Sequence, residues 1–308
     1  MRETKIRWAD HSWNPMSGCT RISPGCDHCY AETIATKFAG TAAYPVGFDP
    51  VFKPKKLGEP AALLRKYGPG RIFVNSMSDV HHEAFTYDEI ARVYDAMLAT
   101  PEHDYLVLTK RPDRMAGFFL GRDAVRGSRV APQTVMEGGL TPTANTAGYL
   151  KSRGLDAVPE HIWIGTSIES QQYAFRAEWL CLIPAAVHFA SVEPMLGPVD
   201  LIDHLEPDWI GGPGGGSGAP HPLLNWVIVG GESGKGFREM DHDWARVLRD
   251  ECRAAGAAFF FKQSSAFRTE TGIELDGERH EEFPFPHPAD VPTGGRTVGR
   301  YTREAVGG

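Results

Sequence analysis

Six short apolar runs constrain this chain more than any other feature. They lie at residues 71–76, 105–109, 161–166, 186–191, 226–230 and 258–262. Each is continuous rather than alternating, the pattern of parallel strands buried on both faces. Helical patterns separate them. Thr86 and Glu89 stand at capping-box spacing, with Phe85 and Ile90 as the accompanying staple, and Ile90, Val93, Tyr94 and Met97 form one face. Residues 241–255 start acidic, carry Trp244, Val247, Leu248 and Cys252 on one side, and stop at Gly256. Residues 170–182 repeat the pattern with Tyr173, Phe175, Trp179 and Leu180. Asp27 is expected to cap a further helix bearing Tyr30, Ile34 and Phe38.

Strands alternating with helices imply βαβ units and a parallel sheet. The sequence therefore predicts an α/β chain folded as a partial barrel of the (βα)6 kind with loop insertions. Barrel chemistry sits at the carboxyl ends of the strands. Residues 1–263 form the expected barrel. Residues 122–159, rich in Gly, Thr, Pro and Ala, read as an insertion with one short helix over 143–152. Gly211 to Gly218 reads as a flexible loop. The polar, proline-bearing stretch 264–308 reads as an extension with no core contribution.

The most distinctive local feature is a cysteine triplet, Cys19, Cys26 and Cys29, in C-x6-C-x2-C spacing within residues 19–29. Thiolates bind soft or borderline metals, and three without a fourth leave one coordination position open. Spacing alone permits an iron–sulfur centre, a zinc site completed by His11 or His28, or three unrelated buried thiols. The chain has five cysteines, an odd number, and no apolar signal core at its start. That argues against a disulfide framework and for a cytoplasmic protein without a membrane span.

The strand ends are strongly polar. Asn75, Ser76, Ser78, Asp79, His81 and His82 follow the first run, and Lys110 and Arg111 the second. Thr166, Ser167 and Glu169 follow the third, Glu193 the fourth, Gly230-Gly231-Glu232 the fifth, and Lys262-Gln263 close the sixth. Convergence of such ends on one rim predicts a polar site. His81 and His82, being adjacent, point apart and suit a loop. The formal charge of -7 argues against a protein held to nucleic acid by bulk charge. Between Lys110 and Arg129, however, six basic residues face only Asp113 and Asp123, which suits either local phosphate contact or a solvated loop.

Several motifs together carry a resemblance. They are Trp8-Ala9-Asp10, Trp13-Asn14-Pro15, Gly18-Cys19-Thr20, Ser23-Pro24-Gly25-Cys26, Cys29-Tyr30-Ala31-Glu32, Asn75-Ser76-Met77-Ser78-Asp79, Thr109-Lys110-Arg111-Pro112, Ser191-Val192-Glu193-Pro194, Gly230-Gly231-Glu232-Ser233-Gly234 and Phe261-Lys262-Gln263. The chain resembles the phage-associated three-cysteine family of radical-SAM-like proteins. The resemblance implies a [4Fe–4S] cluster on Cys19, Cys26 and Cys29 and bound S-adenosyl-L-methionine. An electron donor is the implied partner. The cofactor then supplies a 5′-deoxyadenosyl radical. Asn75, Ser76, Asp79, Thr166 and Ser167 become the expected cofactor-binding residues, and Lys110, Glu193, Glu232 and Lys262 the expected catalytic ones. The chain departs from the common C-x3-C-x2-C spacing, with His28 in the usual aromatic position and Tyr30 one residue later. Its Gly-Gly-Glu element sits on a late strand rather than the second.

Relatives of this type look like radical SAM isomerases of thymidine hypermodification. The implied reaction converts N-linked to C-linked glycinyl-thymidine, with phage DNA carrying the modified thymidine as partner. Two alternatives stand beside it: a radical lyase repairing damaged pyrimidines, and a zinc-stabilised nucleic-acid-binding or partner protein without catalysis.

Overall fold

The computed structural model describes residues 2–121, 148–205 and 224–289. All six apolar runs are strands, but the parallel sheet has a seventh. The strands are β1 (Arg2–Glu3), β2 (His11–Trp13), β3 (Met16–Ser17), β4 (Val51–Phe52), β5 (Arg71–Val74), β6 (Asp104–Thr109), β7 (Ile162–Ser167), β8 (His188–Val192), β9 (Leu224–Gly230) and β10 (Ala258–Gln263). The main sheet runs β1-β2-β5-β6-β7-β8-β9-β10; a separate ribbon pairs β3 with β4. Within the main sheet every pairing from β2 to β10 is parallel, and only β1 is antiparallel. Spatial order follows chain order, as in a barrel and unlike a doubly wound sheet. The six-stranded expectation missed β2, whose three residues are too short to show a period. Its extended form comes from pairing with β5, His11 beside Ile72 and Trp13 beside Val74.

The sheet curls into a half-barrel. Trp8, just before β2, meets Trp226 of β9 edge-on at 6.4 Å between ring centroids. Arg7 reaches across to β10, donating to the Lys262 carbonyl at 2.7 Å. The concave side is filled by Phe73, Leu106, Trp163, Phe189, Trp226, Ile228 and Phe260. The convex side carries the larger core under the helices.

The helices are α1 (Tyr30–Lys37), α2 (Glu59–Tyr67), α3 (Tyr87–Leu98), α4 (Pro112–Leu120), α5 (Tyr149–Arg153), α6 (Phe175–Cys181), α7 (Ile202–Leu205) and α8 (His242–Ala255). α3 begins with the expected capping box between Thr86 and Glu89, and Ile90, Val93, Tyr94 and Met97 are its buried residues. α8 starts at the Asp241 cap and ends at Gly256 in the left-handed conformation. Its Cys252 is core. Phe175 opens α6 but is partly exposed, while Trp179 and Leu180 are buried. Of the insertion, residues 122–147 lie outside the described residues, as does the Gly211 to Gly218 loop. The short helix expected there is α5, at 149–153.

Two expectations are corrected. The first concerns α1. Cys29, not Asp27, stands at its N-cap, and Tyr30, Ile34 and Phe38 are exposed. The helix instead lays its small Ala31 and Ala35 inward, which lets its backbone lie close to the barrel. The second concerns the tail. Residues 275–285 do join the core: Leu275 is fully buried, and Phe283 and Phe285 pack on the concave aromatic layer. This segment also covers the free edge of β10, with Phe261 N–H donating to His280 O at 2.8 Å and Glu282 N–H to Phe259 O at 3.1 Å. An open sheet edge otherwise invites pairing with another chain.

Candidate functional site

The polar strand ends converge as expected, and the cysteine loop lies over them. After β2 the chain turns through Asn14 and β3 and reaches Cys19. Asn14 Oδ1 accepts from Met77 N–H at 2.9 Å and Ser76 Oγ at 3.2 Å, while Asn75 Oδ1 accepts from Met16 N–H at 3.2 Å. These bonds lash the segment before the cysteines to the end of β5. Asn75 carries φ +60, a conformation that Asn tolerates better than most residues.

From there the loop hangs from three further strand ends. Beyond β6, Arg111 donates to Cys19 Sγ at 3.7 Å and to Thr20 Oγ1 at 3.0 Å. Buried Asp79 holds Arg111 from behind at 3.2 Å, and also accepts from Thr109 Oγ1 and the backbone N–H groups of His81 and Lys110. Beyond β7, Ser23 donates to Glu169 at 2.6 Å and lies 3.7 Å from Cys26 Sγ. Glu169 is fully buried and paired with both Lys110 and Arg176, the latter at 2.8 Å. Gly25 sits against it, and a Cβ there would overlap the Glu169 side chain. Beyond β9, Glu232 accepts from His28 Nδ1 at 3.0 Å and from Arg238 Nε at 2.9 Å, while Arg238 Nη2 also donates to Pro24 O at 2.9 Å. A buried carboxylate persists because such partners replace its hydration.

Cys19, Cys26 and Cys29 are free thiols, each partly exposed. Burial, with Asp79 nearby, pushes Cys19 up to about 12 against the pull of Arg111. Burial likewise raises Cys29. At Cys26 burial is outweighed by the Lys110 ammonium and by hydrogen bonds, so this thiol lies below its usual range. Among the described residues no three His, Cys, Asp or Glu side chains are drawn to the spacing of a single metal ion. A cluster spreads its thiolates over several irons.

The expected site residues divide into four sets. Asp79 and Glu232 support the cysteine loop as carboxylates saturated by their partners, and Lys110 supports it by pairing with Glu169. Thr166 and Ser167 serve the sheet: the Thr166 hydroxyl donates to Thr109 O and the Ser167 carbonyl accepts from Arg176. Ser76 offers its carbonyl to the Tyr30 hydroxyl. Glu193 and Lys262 pair with each other at 2.6 Å on the wall formed by β8 and β10. Lys110, Arg111 and Arg114 face inward, so this half of the basic stretch is no phosphate surface; Arg122, Arg126 and Arg129 lie outside the described residues. His81 and His82 are buried in the loop after β5, bonded to Tyr94 and Thr20. His11 opens β2 at the amino end of the sheet near Tyr67, away from the cysteines.

Sequence reasoning left Ser23, Arg176 and Arg238 unassigned and noted Arg111 and Glu169 only as strand ends. A Lys-Arg pair directly after a buried strand signals inward charge. Nothing local marks Arg176 or Arg238, which are recognisable only by the carboxylates they meet.

The fold and site together define an open parallel α/β half-barrel with a cysteine-bearing loop anchored across its polar mouth. Residues 3–284 match the family described as a protein of unknown function (DUF5131), and the chain belongs to it. The match runs beyond β10 and takes in the tail segment that covers it. No curated protein and no solved structure matches the chain. No helix among the described residues is long and apolar enough to cross a membrane.

Proposed function

We propose that the chain is a radical S-adenosylmethionine enzyme, with Cys19, Cys26 and Cys29 holding a [4Fe–4S] cluster, that isomerises N-linked glycinyl-thymidine in phage DNA to the C-linked form. One observation carries the reading: the three-thiol loop is suspended over the carboxyl ends of parallel strands by Arg111, Glu169 and Glu232, which reach it from three strand ends. The donor set fits such a cluster, being three thiols unpaired in disulfides with cationic Arg111 and Lys110 beside two of them. When bound, a cluster with S-adenosylmethionine supplies one-electron cleavage of the sulfonium and a radical able to remove an unactivated hydrogen.

The chain's own residues then have distinct tasks. Arg111 and Lys110 place positive charge beside the sulfurs and offset thiolate charge on metal loading. Cys19 and Cys29, which burial holds protonated, would give up their protons on binding iron. The aromatic floor of Phe73, Trp163, Phe189, Trp226 and Phe260 closes the half-barrel from below, so a substrate enters at the mouth. Asn75 and Ser76 border that mouth, and the Asn75 Nδ2, which has no hydrogen-bond partner among the described residues, would be the donor there for the cofactor.

The test is anaerobic reconstitution with iron and sulfide. The expected product is a brown protein that forms 5′-deoxyadenosine from S-adenosylmethionine and dithionite. Replacing Cys19, Cys26 and Cys29 by alanine should abolish both colour and cleavage. A colourless protein holding one zinc would overturn the cluster. Reconstituted enzyme that leaves glycinyl-thymidine DNA unchanged would overturn the substrate.

A further inference from the structure

We infer that Glu193 and Lys262 form a receptor for a zwitterionic α-amino-acid group, the carboxylate taking its ammonium and the lysine its carboxylate. The inference rests on the proposed substrate class, and it deepens that reading by naming the residues that recognise the glycine substituent.

The pair stands apart from the other charged groups of the mouth. Asp79, Glu169 and Glu232 are each saturated by two or more partners within the protein. Glu193 accepts a single bond, from Lys262 Nζ to Oε2. Its Oε1 is buried with no hydrogen-bond partner among the described residues. Lys262 has three donors, and the only hydrogen bond its ammonium makes among the described residues is this one. Both side chains are still only about 15% exposed, at 16% for Lys262 and 15% for Glu193. A half-satisfied carboxylate at that depth costs free energy that a further donor would recover. Gly230 keeps the wall clear, since a Cβ there would lie 3.3 Å from the Glu193 carboxyl carbon.

Charge balance selects the ligand class. A simple anion or cation entering here would part the couple and leave one buried partner uncompensated, a costly state. A zwitterion parts it and leaves both ends paired. No unpaired charge is then buried, and Glu193 gains the donor that its Oε1 lacks. An α-amino acid has the right two groups one carbon apart. Such a group is found both on glycinyl-thymidine and on the methionyl end of S-adenosylmethionine. The inference commits to the first, and competition separates the two.

The experiment measures binding to unreconstituted protein by calorimetry, so its result does not depend on a cluster. The probes are glycinyl-thymidine and its ethylamine analogue, which lacks only the carboxylate. Wild-type protein should bind glycinyl-thymidine at least tenfold more tightly than the analogue. Lys262→Met should erase that preference, and Glu193→Gln should weaken glycinyl-thymidine binding by tenfold or more. Lys262→Arg, which keeps the charge, should retain the preference, and thermal melting of all variants checks folding. Equal binding of both probes, or variants that change neither, would overturn the receptor. Displacement of glycinyl-thymidine by S-adenosylhomocysteine, with both losing affinity in Lys262→Met, would assign the pair to the cofactor and also overturn it. Selective binding without 5′-deoxyadenosine formation after reconstitution would leave the receptor standing and remove the radical reading.

Discussion

The two ends of the half-barrel's concave side are built on opposite principles. The floor is rings: Trp8, Phe73, Trp163, Phe189, Trp226 and Phe260 fill it, and Phe283 and Phe285 seal it from the tail. The mouth is charge: Asp79, Arg111, Glu169, Arg176 and Glu232 are all buried there. Interchangeable apolar contacts hold the floor, and their strength scales with buried area. Specific pairs hold the mouth, and each loses most of its value when one partner goes. The floor therefore supplies stability, and the mouth spends some of it to fix the position of one loop.

Substitutions at the two ends should separate these roles. The largest effect is expected at the floor. Trp226→Ala should cost about 3–5 kcal/mol through lost contacts and a cavity. Chemical denaturation should show an earlier midpoint for the whole molecule. If the loss is under ~1 kcal/mol, the aromatic layer is not the main support. Next comes Glu169→Ala at the mouth, which strands Arg176 and Lys110 without their carboxylate. The cost should be ~3 kcal/mol, at the low end for a broken buried pair, because Lys110 remains 19% exposed and water can reach it. Its distinguishing mark is local: proteolysis or hydrogen exchange should increase in residues 19–29 before the sheet is affected. Uniform loosening would contradict the division of roles.

Smallest for each pH unit crossed is a dependence carried by buried histidines. Burial lowers His81 to about 3 and His188 to about 4. Both stay neutral in the fold while the unfolded chain protonates near 6.5. The unfolded state therefore binds more protons below that pH, and stability must fall as pH drops from about 6.5 toward 4. Each group contributes up to about 1.4 kcal/mol per pH unit. Urea midpoints should decline across this window, and His188→Asn should flatten the decline. A pH-independent midpoint would mean that these rings gain protons without unfolding.

Much of the fold was legible because its signals are local. Residues 71–76 and 105–109 read as strands from composition alone, and the Thr86–Glu89 box announced the start of α3 within four residues. β2 escaped because three residues cannot display a period. The outward turn of α1 escaped for a different reason. Tyr30, Ile34 and Phe38 form a credible apolar stripe, yet the barrel accepts the alanine side, since small residues allow closer approach. The tail escaped because its packed groups, buried Leu275 and partly buried Phe283 and Phe285, are scattered among polar residues.

The site divides the same way. Sequence by itself determined that three thiols share one short loop and that polar residues end each strand, because both are properties of neighbours along the chain. Only the tertiary structure decided which charges meet. Ser23 reaches Glu169 across 146 residues, and His28 reaches Glu232 across 204. No local pattern encodes such pairs, since a buried charge is stable only where the fold brings its partner. Curling the sheet spent nearly every charge at the mouth on holding the cysteines and left Glu193 with an unused oxygen.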